Sequence, residues 1–327
     1  MPEIIPKLVS IALATYNGER FLSQQLDTLL SQTYKNIEII ACDDNSTDNT
    51  WLILQEYAEK NKFMKIFRNE KNVGFIKNFE RVVGLCEGDF IAISDQDDLW
   101  QPEKIEKLVN AINNYSLIYS DSAFIDANNA FSGEKMGDTY SFVEGFDGRN
   151  FTLTNCVSGH ASMFRRDLVP YILPFPACVD YDWWAAFVAT TQNGLKYFDE
   201  CLVSYRQHAE SVTDNSGLSK DTTKNTKQYK ENIKLKIEKD RIDRLHLFEK
   251  TINNNQNNNN QNDSQNDNNK KTQLFCAKLG LLFTNRKYFF TKIKLVFVLL
   301  THVNVVYKLR KKSFFSKIWR ALQEVFS

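Results

Sequence analysis

The first 120 residues switch repeatedly between two hydrophobic patterns, and this alternation restricts the fold more than any other feature of the chain. Leu8-Val9-Ser10-Ile11-Ala12-Leu13 is a compact, nearly unbroken apolar run, suited to a strand buried on both faces. Phe21, Leu22, Gln25, Leu26, Leu29 and Leu30 follow helical spacing and predict a helix over 19–32 with one apolar stripe. The pattern then repeats. Strands are predicted at Ile37–Cys42, Lys65–Phe67, Phe90–Ile93 and Leu117–Tyr119, with helices over 51–60, 75–87 and 103–114 between them. Asp48 is placed to cap the second helix, and Pro102 sits at the first turn of the fourth. Such βαβα alternation implies an α/β fold with a doubly wound, mostly parallel sheet. Ligands of such sheets bind beyond the carboxyl ends of the strands, so the loops that follow each strand are the ones to inspect.

Three of those loops are densely polar: Thr15-Tyr16-Asn17, Asp43-Asp44-Asn45-Ser46-Thr47-Asp48, and Asp95-Gln96-Asp97-Asp98-Leu99-Trp100. Carboxylates this close repel one another, so a cation or a hydrogen-bonding ligand is their natural compensator. Asp-x-Asp at a strand end suits a hard divalent ion that keeps positions open for phosphate oxygens. Turn chemistry and a helix cap would account for Asp43–Asp48 alone, and a solvated acidic loop for Asp95–Asp98 alone. Two such loops at the ligand edge of one sheet weaken both plain readings.

With Asn72-Val73-Gly74, Gly159, Tyr181-Asp182-Trp183-Trp184 and Tyr205-Arg206-Gln207-His208, these stretches resemble, in order and spacing, the family 2 glycosyltransferases of the GT-A fold. The resemblance covers about residues 7–215 and is nearest the bacterial rhamnosyltransferase-like branch that assembles O-antigen and capsule chains. It implies an inverting, Mn2+- or Mg2+-dependent enzyme moving a sugar from a nucleoside-diphosphate sugar to a saccharide or lipid-linked saccharide. By the same resemblance, Thr15, Tyr16, Asn17 and Asn72 line the nucleotide pocket, with Tyr16 against the base. Asp43 reads the N3–H of uracil or thymine, with UDP and dTDP both open, and Asp44 supports its loop. Asp97 is the direct metal ligand, with Asp95 on the ribose and sugar side. Arg206 and His208 meet the diphosphate from its far side, His208 close enough to join the metal set. Asp182 is the catalytic base, with Asp180 as a competitor, and Gly159 lies near the acceptor. Trp183 and Trp184 would desolvate the base and seat acceptor sugar on their indole faces. Relatives often have a His where this chain has Tyr181.

Residues 1–220 read as the GT-A domain, 221–252 as a charged helix, and 270–327 as a basic, amphipathic helical tail. Between them 253–269 holds eleven Asn, three Gln, two Asp and one Ser, which predicts a disordered linker with nothing to bury. A net charge of +1 conceals an asymmetry. From Lys270 onward thirteen Lys/Arg face Glu324 alone, giving +12 and leaving −11 for residues 1–269. An anionic membrane surface is the expected partner of the tail, rather than nucleic acid, which the acidic body would repel. Six scattered cysteines without CxxC spacing fit a reducing compartment, and the amino terminus lacks the pattern of a secretory signal. The expectation is a cytoplasmic protein, peripheral on the inner face of the plasma membrane. Two other readings share the layout: a nucleotidyltransferase, which should carry a Gly-rich loop after its first strand, and a membrane-attached adaptor without turnover.

Overall fold

The computed structural model describes residues 6–208, 227–255, 263–286, 288–308, 311 and 313–326. The amino-terminal half alternates β1 (Val9–Thr15), α1 (Leu22–Leu30), β2 (Ile37–Asp43), α2 (Thr50–Lys60), β3 (Met64–Arg68), α3 (Phe75–Leu85) and β4 (Phe90–Ser94). After these come the short β5 (Leu99–Trp100), α4 (Lys104–Ala111), β6 (Leu117–Ile125), β7 (Phe131–Lys135) and the one-turn α5 (Met136–Thr139). β8 (Ser162–Arg165), α6 (Val169–Ile172), α7 (Tyr181–Thr191) and β9 (Leu195–Arg206) complete the sheet-bearing part. The strands lie in the order β3-β2-β1-β4-β8-β6-β9-β5, with β7 pairing β6 off this path. β3, β2, β1 and β4 run parallel, β8 is antiparallel to both its neighbours, and β9 returns parallel to β6.

Strand alternation sorts the core into two layers. Val9, Ile11, Leu13, Ile39 and Ala41 face Leu22, Leu26 and Leu29 of α1 and Ile105 and Leu108 of α4. Ala12, Ile40, Cys42, Ile91 and Ile93 face the opposite way, onto Phe79, Val82 and Val83 of α3. Because both faces are covered, these strands read as continuous apolar runs. All six cysteines are free thiols.

The carboxyl-terminal region forms a helical layer: α8 (Lys227–Asn255), α9 (Asp263–Thr284), α10 (Phe289–Thr301), α11 (Val303–Val306) and α12 (Phe314–Phe326). It is no detached tail. Phe248 of α8, Phe275, Leu279 and Phe283 of α9, Leu295, Val298 and Leu299 of α10 and Val325 of α12 share the core that contains Trp184 and Phe187 of α7. The Asn-rich segment also departs from expectation. Residues 253–255 finish α8 and 263–269 open α9, while 256–262 lie outside the described residues. Side-chain amides explain the helical part: Gln265 and Asn269 are buried, and their Nε2 and Nδ2 groups donate to the carbonyl of Thr191 at the end of α7, at 3.0 and 3.5 Å. A long polar side chain supplies the donor that a helix carboxyl terminus lacks.

Candidate active site

The three polar loops meet at the carboxyl edge of β1, β2 and β4, and they are tied to one another. Asp44 N donates to Thr15 O at 2.8 Å, and Asn17 N donates to Ser46 Oγ at 2.9 Å. Gln96 accepts from Tyr16 N at 2.8 Å and donates back to Tyr16 O at 3.0 Å. Asn17 adopts φ 48°, and its Oδ1 takes the N–H of Thr47. Tyr16 is left 45% exposed, its ring at the mouth of the site.

The two aspartates after β2 have separate tasks. Asp44 is buried and receives Val73 N at 2.9 Å, Gly74 N at 2.8 Å and Asn69 Nδ2 at 2.7 Å, so it fixes the 72–74 turn that starts α3. Gly74 sits there at φ 86°, a conformation that favours glycine. Asn72 Oδ1 also accepts from Gly74 N. Asp43 is wholly enclosed: Ser46 donates to it from both backbone and hydroxyl, Thr15 Oγ1 lies at 3.4 Å, and Arg68 Nε at 3.1 Å covers its outer side.

The loop after β4 divides its carboxylates between two histidines. Asp97 Oδ2 lies 2.8 Å from Nε2 of His208. Asp95 and Asp98 instead face His160, whose Nδ1 is 3.7 and 3.6 Å from their Oδ2 atoms. These three could hold a metal ion, with donor atoms all within 4.8 Å of one another. Asp98 Oδ2 is buried with no hydrogen-bond donor, and burial pushes that carboxyl up to about 7. Burial works against a charge on His160 too, but Asp98 and Asp95 overcome it and raise the imidazole. Asp95, expected with Asp97 and His208, also lies beside His160 and Asp98. A hard-to-borderline set of carboxylates and imidazole fits Mn2+ or Mg2+.

Arg206 does not face an open diphosphate site. Its side chain is fully buried and its donors are committed: Nε to Asp97 O at 2.7 Å, and the terminal nitrogens to Asp126 O, Asn129 Oδ1 and Gln24 Oε1 at 2.6–3.2 Å. Its backbone N–H donates to Asp98 Oδ1 at 3.0 Å. The expectation of a phosphate contact gives way to a clamp that shapes the acidic loop from β9.

Asp182 lies in the first turn of α7. Its Oδ2 accepts from Gly159 N at 3.2 Å, and its Oδ1 accepts from Asn155 Nδ2 at 3.2 Å and Trp183 N at 2.6 Å. Burial, then the neighbouring charge of Asp180, push the carboxyl up to about 7, with Asp95 adding to the effect. Gly159 is required by close approach: a Cβ there would stand 2.1 Å from Tyr181 Oη. Tyr181 is itself packed on Phe79 and Phe175.

The tryptophans are corrected. Trp184 is buried, stacks on Phe187 and Phe248, and donates Nε1 to Ile172 O at 2.9 Å, so it presents no face to a sugar. Trp183 donates to Phe151 O, and the Arg244 guanidinium covers its ring at 4.1 Å. An indole that could serve as a sugar platform is indistinguishable in sequence from one that serves as core.

Sequence reasoning passed over a buried network beneath the acidic loop. Lys104 Nζ lies 3.2 Å over the Trp100 ring and donates to His160 O, while Ser122 Oγ meets His160 Nε2 at 3.0 Å. Burial pulls the Lys104 ammonium well below its usual range, against the attraction of Asp98 and Asp95. The one available signal was a lysine within the apolar stripe of α4.

Comparison with known proteins agrees with this geometry. Residues 10–172 match the family described as Glycosyl transferase family 2. The chain is 28% identical over 219 residues to an uncharacterized glycosyltransferase of Haemophilus influenzae, covering 63% of this chain and 67% of that protein. It is 29% identical over 215 residues to the Escherichia coli UDP-Glc:alpha-D-GlcNAc-diphosphoundecaprenol beta-1,3-glucosyltransferase WfgD, covering 64% and 80%. Among solved structures, S. aureus TarS 1-349 in complex with UDP-GlcNAc superposes with a TM-score of 0.57 at 18% identity, over 92% of this chain and 82% of that one. The strand-end loops, the GT-A fold and the matched segment agree, and the chain belongs to glycosyl transferase family 2 as a glycosyltransferase.

Proposed function

We propose that the protein is an inverting, divalent-metal-dependent transferase that moves a hexose or deoxyhexose, rhamnose included, from a UDP- or dTDP-sugar. The acceptor is a saccharide or lipid-linked saccharide of cell-surface polysaccharide assembly, an acceptor class supported by the name of the E. coli relative. The observation that carries this reading is Asp182, a carboxyl pushed up to about 7 and held by Gly159 N and Asn155.

In this reading Tyr16 stacks on the base, and the pyrimidine N3–H reaches Asp43 once the half-exposed Arg68 moves aside. Asp97 and His208 would hold the metal ion together with Asp95, whose neighbours Asp98 and His160 would be further candidate ligands. When bound, the ion supplies charge neutralisation for the departing nucleoside diphosphate. Asp182 accepts the proton of the acceptor hydroxyl as that oxygen attacks the anomeric carbon from the face opposite the leaving group. Its raised pKa suits that task at neutral pH.

Thermal stabilisation of the full chain by UDP, dTDP, GDP and CMP, with and without Mn2+, tests the donor site. A metal-dependent shift with one pyrimidine diphosphate that vanishes in Asp97→Ala is the expected result. No shift with any of the four overturns the donor assignment, and a metal-independent shift overturns the metal assignment.

A further inference from the structure

The helices of the carboxyl-terminal layer have two unlike faces. On α10 the inward positions Leu295, Val298 and Leu299 are buried, whereas Phe290, Ile293, Lys294 and Phe297 point outward at helical spacing. α12 repeats the arrangement, with Ala321, Glu324 and Val325 inward and Phe315, Trp319 and Arg320 outward. The outward side chains are unusually exposed for large apolar groups: Phe297 is 67% exposed, Trp319 64% and Ile293 48%. The two helices pack against each other, so this aromatic surface belongs to one layer. Soluble monomers seldom expose aromatic residues in such concentration unless the surface has a binding role.

Charge identifies the partner. The segment from Lys270 carries +12, and its one carboxylate, Glu324, is turned inward, where Arg241 of α8 and Arg320 pair with it. Lys294 on α10 is exposed, and Lys292 and Lys317 are half-buried beside the aromatic positions. A symmetric pairing of two copies through this face would set Lys292, Lys294 and Lys317 against the same cations of the second copy. An anionic bilayer instead rewards both components, since aromatic rings settle at the headgroup–acyl boundary while cations meet the headgroups.

We propose that the outward face of α10 and α12 is a docking surface for an anionic phospholipid bilayer, with Ile293, Phe297 and Trp319 entering the interface and Lys292, Lys294 and Lys317 at headgroup level. Among the described residues no helix is long and apolar enough to cross a membrane, so the protein would lie on the surface, anchored by these side chains. The proposal deepens the reading above by naming a partner that would bring the enzyme to lipid-linked acceptors, but it stands on exposure and charge alone.

The test is co-sedimentation of the full chain with phosphatidylcholine vesicles made with and without phosphatidylglycerol, at low and high salt. Pelleting that requires phosphatidylglycerol and weakens with salt is expected. The double variant Phe297→Ser/Trp319→Ser, whose melting temperature should match the wild type because both side chains are exposed, should lower partitioning by at least about tenfold. A charge variant, Lys292→Gln/Lys294→Gln/Lys317→Gln, should lower binding to the anionic vesicles and leave any residual binding to neutral ones unchanged. Absence of wild-type pelleting, or pelleting untouched by the aromatic variant, overturns the proposal. So does light scattering that shows a wild-type dimer turned monomeric by Phe297→Ser/Trp319→Ser. Nucleotide-dependent thermal shifts, read in the same preparations without vesicles, separate failure of the membrane face from failure of the donor site.

Discussion

Replacing Asp182 by Asn tests the base assignment in two ways at once, because activity and stability should respond differently. Turnover should fall by about 10²–10⁴-fold with loss of the proton acceptor, while metal-dependent nucleotide binding is retained. Stability should respond to pH instead. The carboxyl is raised from 3.8 to about 7 in the folded protein. A carboxyl raised on folding contributes stability at low pH, and that contribution fades once pH exceeds the unfolded pKa and is gone above the folded one. About 3 units correspond to about 4 kcal/mol across the full range. Of that, about 2 kcal/mol falls between about pH 5.5 and pH 8.5, the rest having been lost on the acid side. The amide that replaces the carboxyl cannot ionise, so the variant lacks this slope. The melting temperature of Asp182→Asn minus that of the wild type should therefore rise by about 3 °C over that interval, taking an unfolding entropy scaled to this chain length. Differential scanning calorimetry at the two pH values reads it directly. A difference that falls as pH rises would mean that the ionised carboxylate is the stabilised form, and the burial-raised base would be refuted.

Other perturbations follow from the same geometry. In wild-type enzyme, initial rates at saturating donor should climb through about pH 7 as Asp182 ionises, whereas a profile flat across that value would contradict its raised pKa. Gly159→Ala forces a methyl against Tyr181 Oη and should lose activity together with about 1–3 kcal/mol of stability, read by chemical denaturation. Arg206→Lys keeps the charge but cannot span Asp97 O, Asp126 O, Asn129 and Gln24, and should lower the melting temperature even without nucleotide. Removing residues 227–327 should strip Phe248 from Trp184 and Phe187 and yield insoluble protein. Recovery of a soluble, cooperatively melting fragment would show that the helical layer is dispensable to the core.

The amino-terminal half was legible because its strands are covered on both sides and its helices on one, so hydrophobic period and fold coincide from Val9 to Tyr119 apart from the two-residue β5. The polar loops were legible as well, since acidic residues crowded at strand ends have few explanations. What sequence could not separate were residues of the same type in different surroundings. Arg206 looked like a phosphate ligand, and only the carbonyls gathered around it reveal a buried clamp. Trp183 and Trp184 were assigned to the acceptor because nothing local discloses that α8 lies over them. The His160 network was passed over because its partners, Asp95, Asp98 and Ser122, come from distant parts of the chain. The Asn-rich stretch was read by composition, and composition does not register which amide meets a carbonyl.

That last contact bears on how the chain tolerates change. In a tract built from Asn and Gln, exchanging one for the other, or gaining and losing a residue, looks inconsequential. Yet Gln265 reaches the Thr191 carbonyl across 3.0 Å with one more methylene than Asn possesses, and α7 carries Asp182 at its opposite end. Drift in the tract is thus constrained at Gln265 and Asn269 by the geometry of a helix more than seventy positions earlier, and repeat-like sequence here conceals two sites where side-chain length decides whether the contact forms.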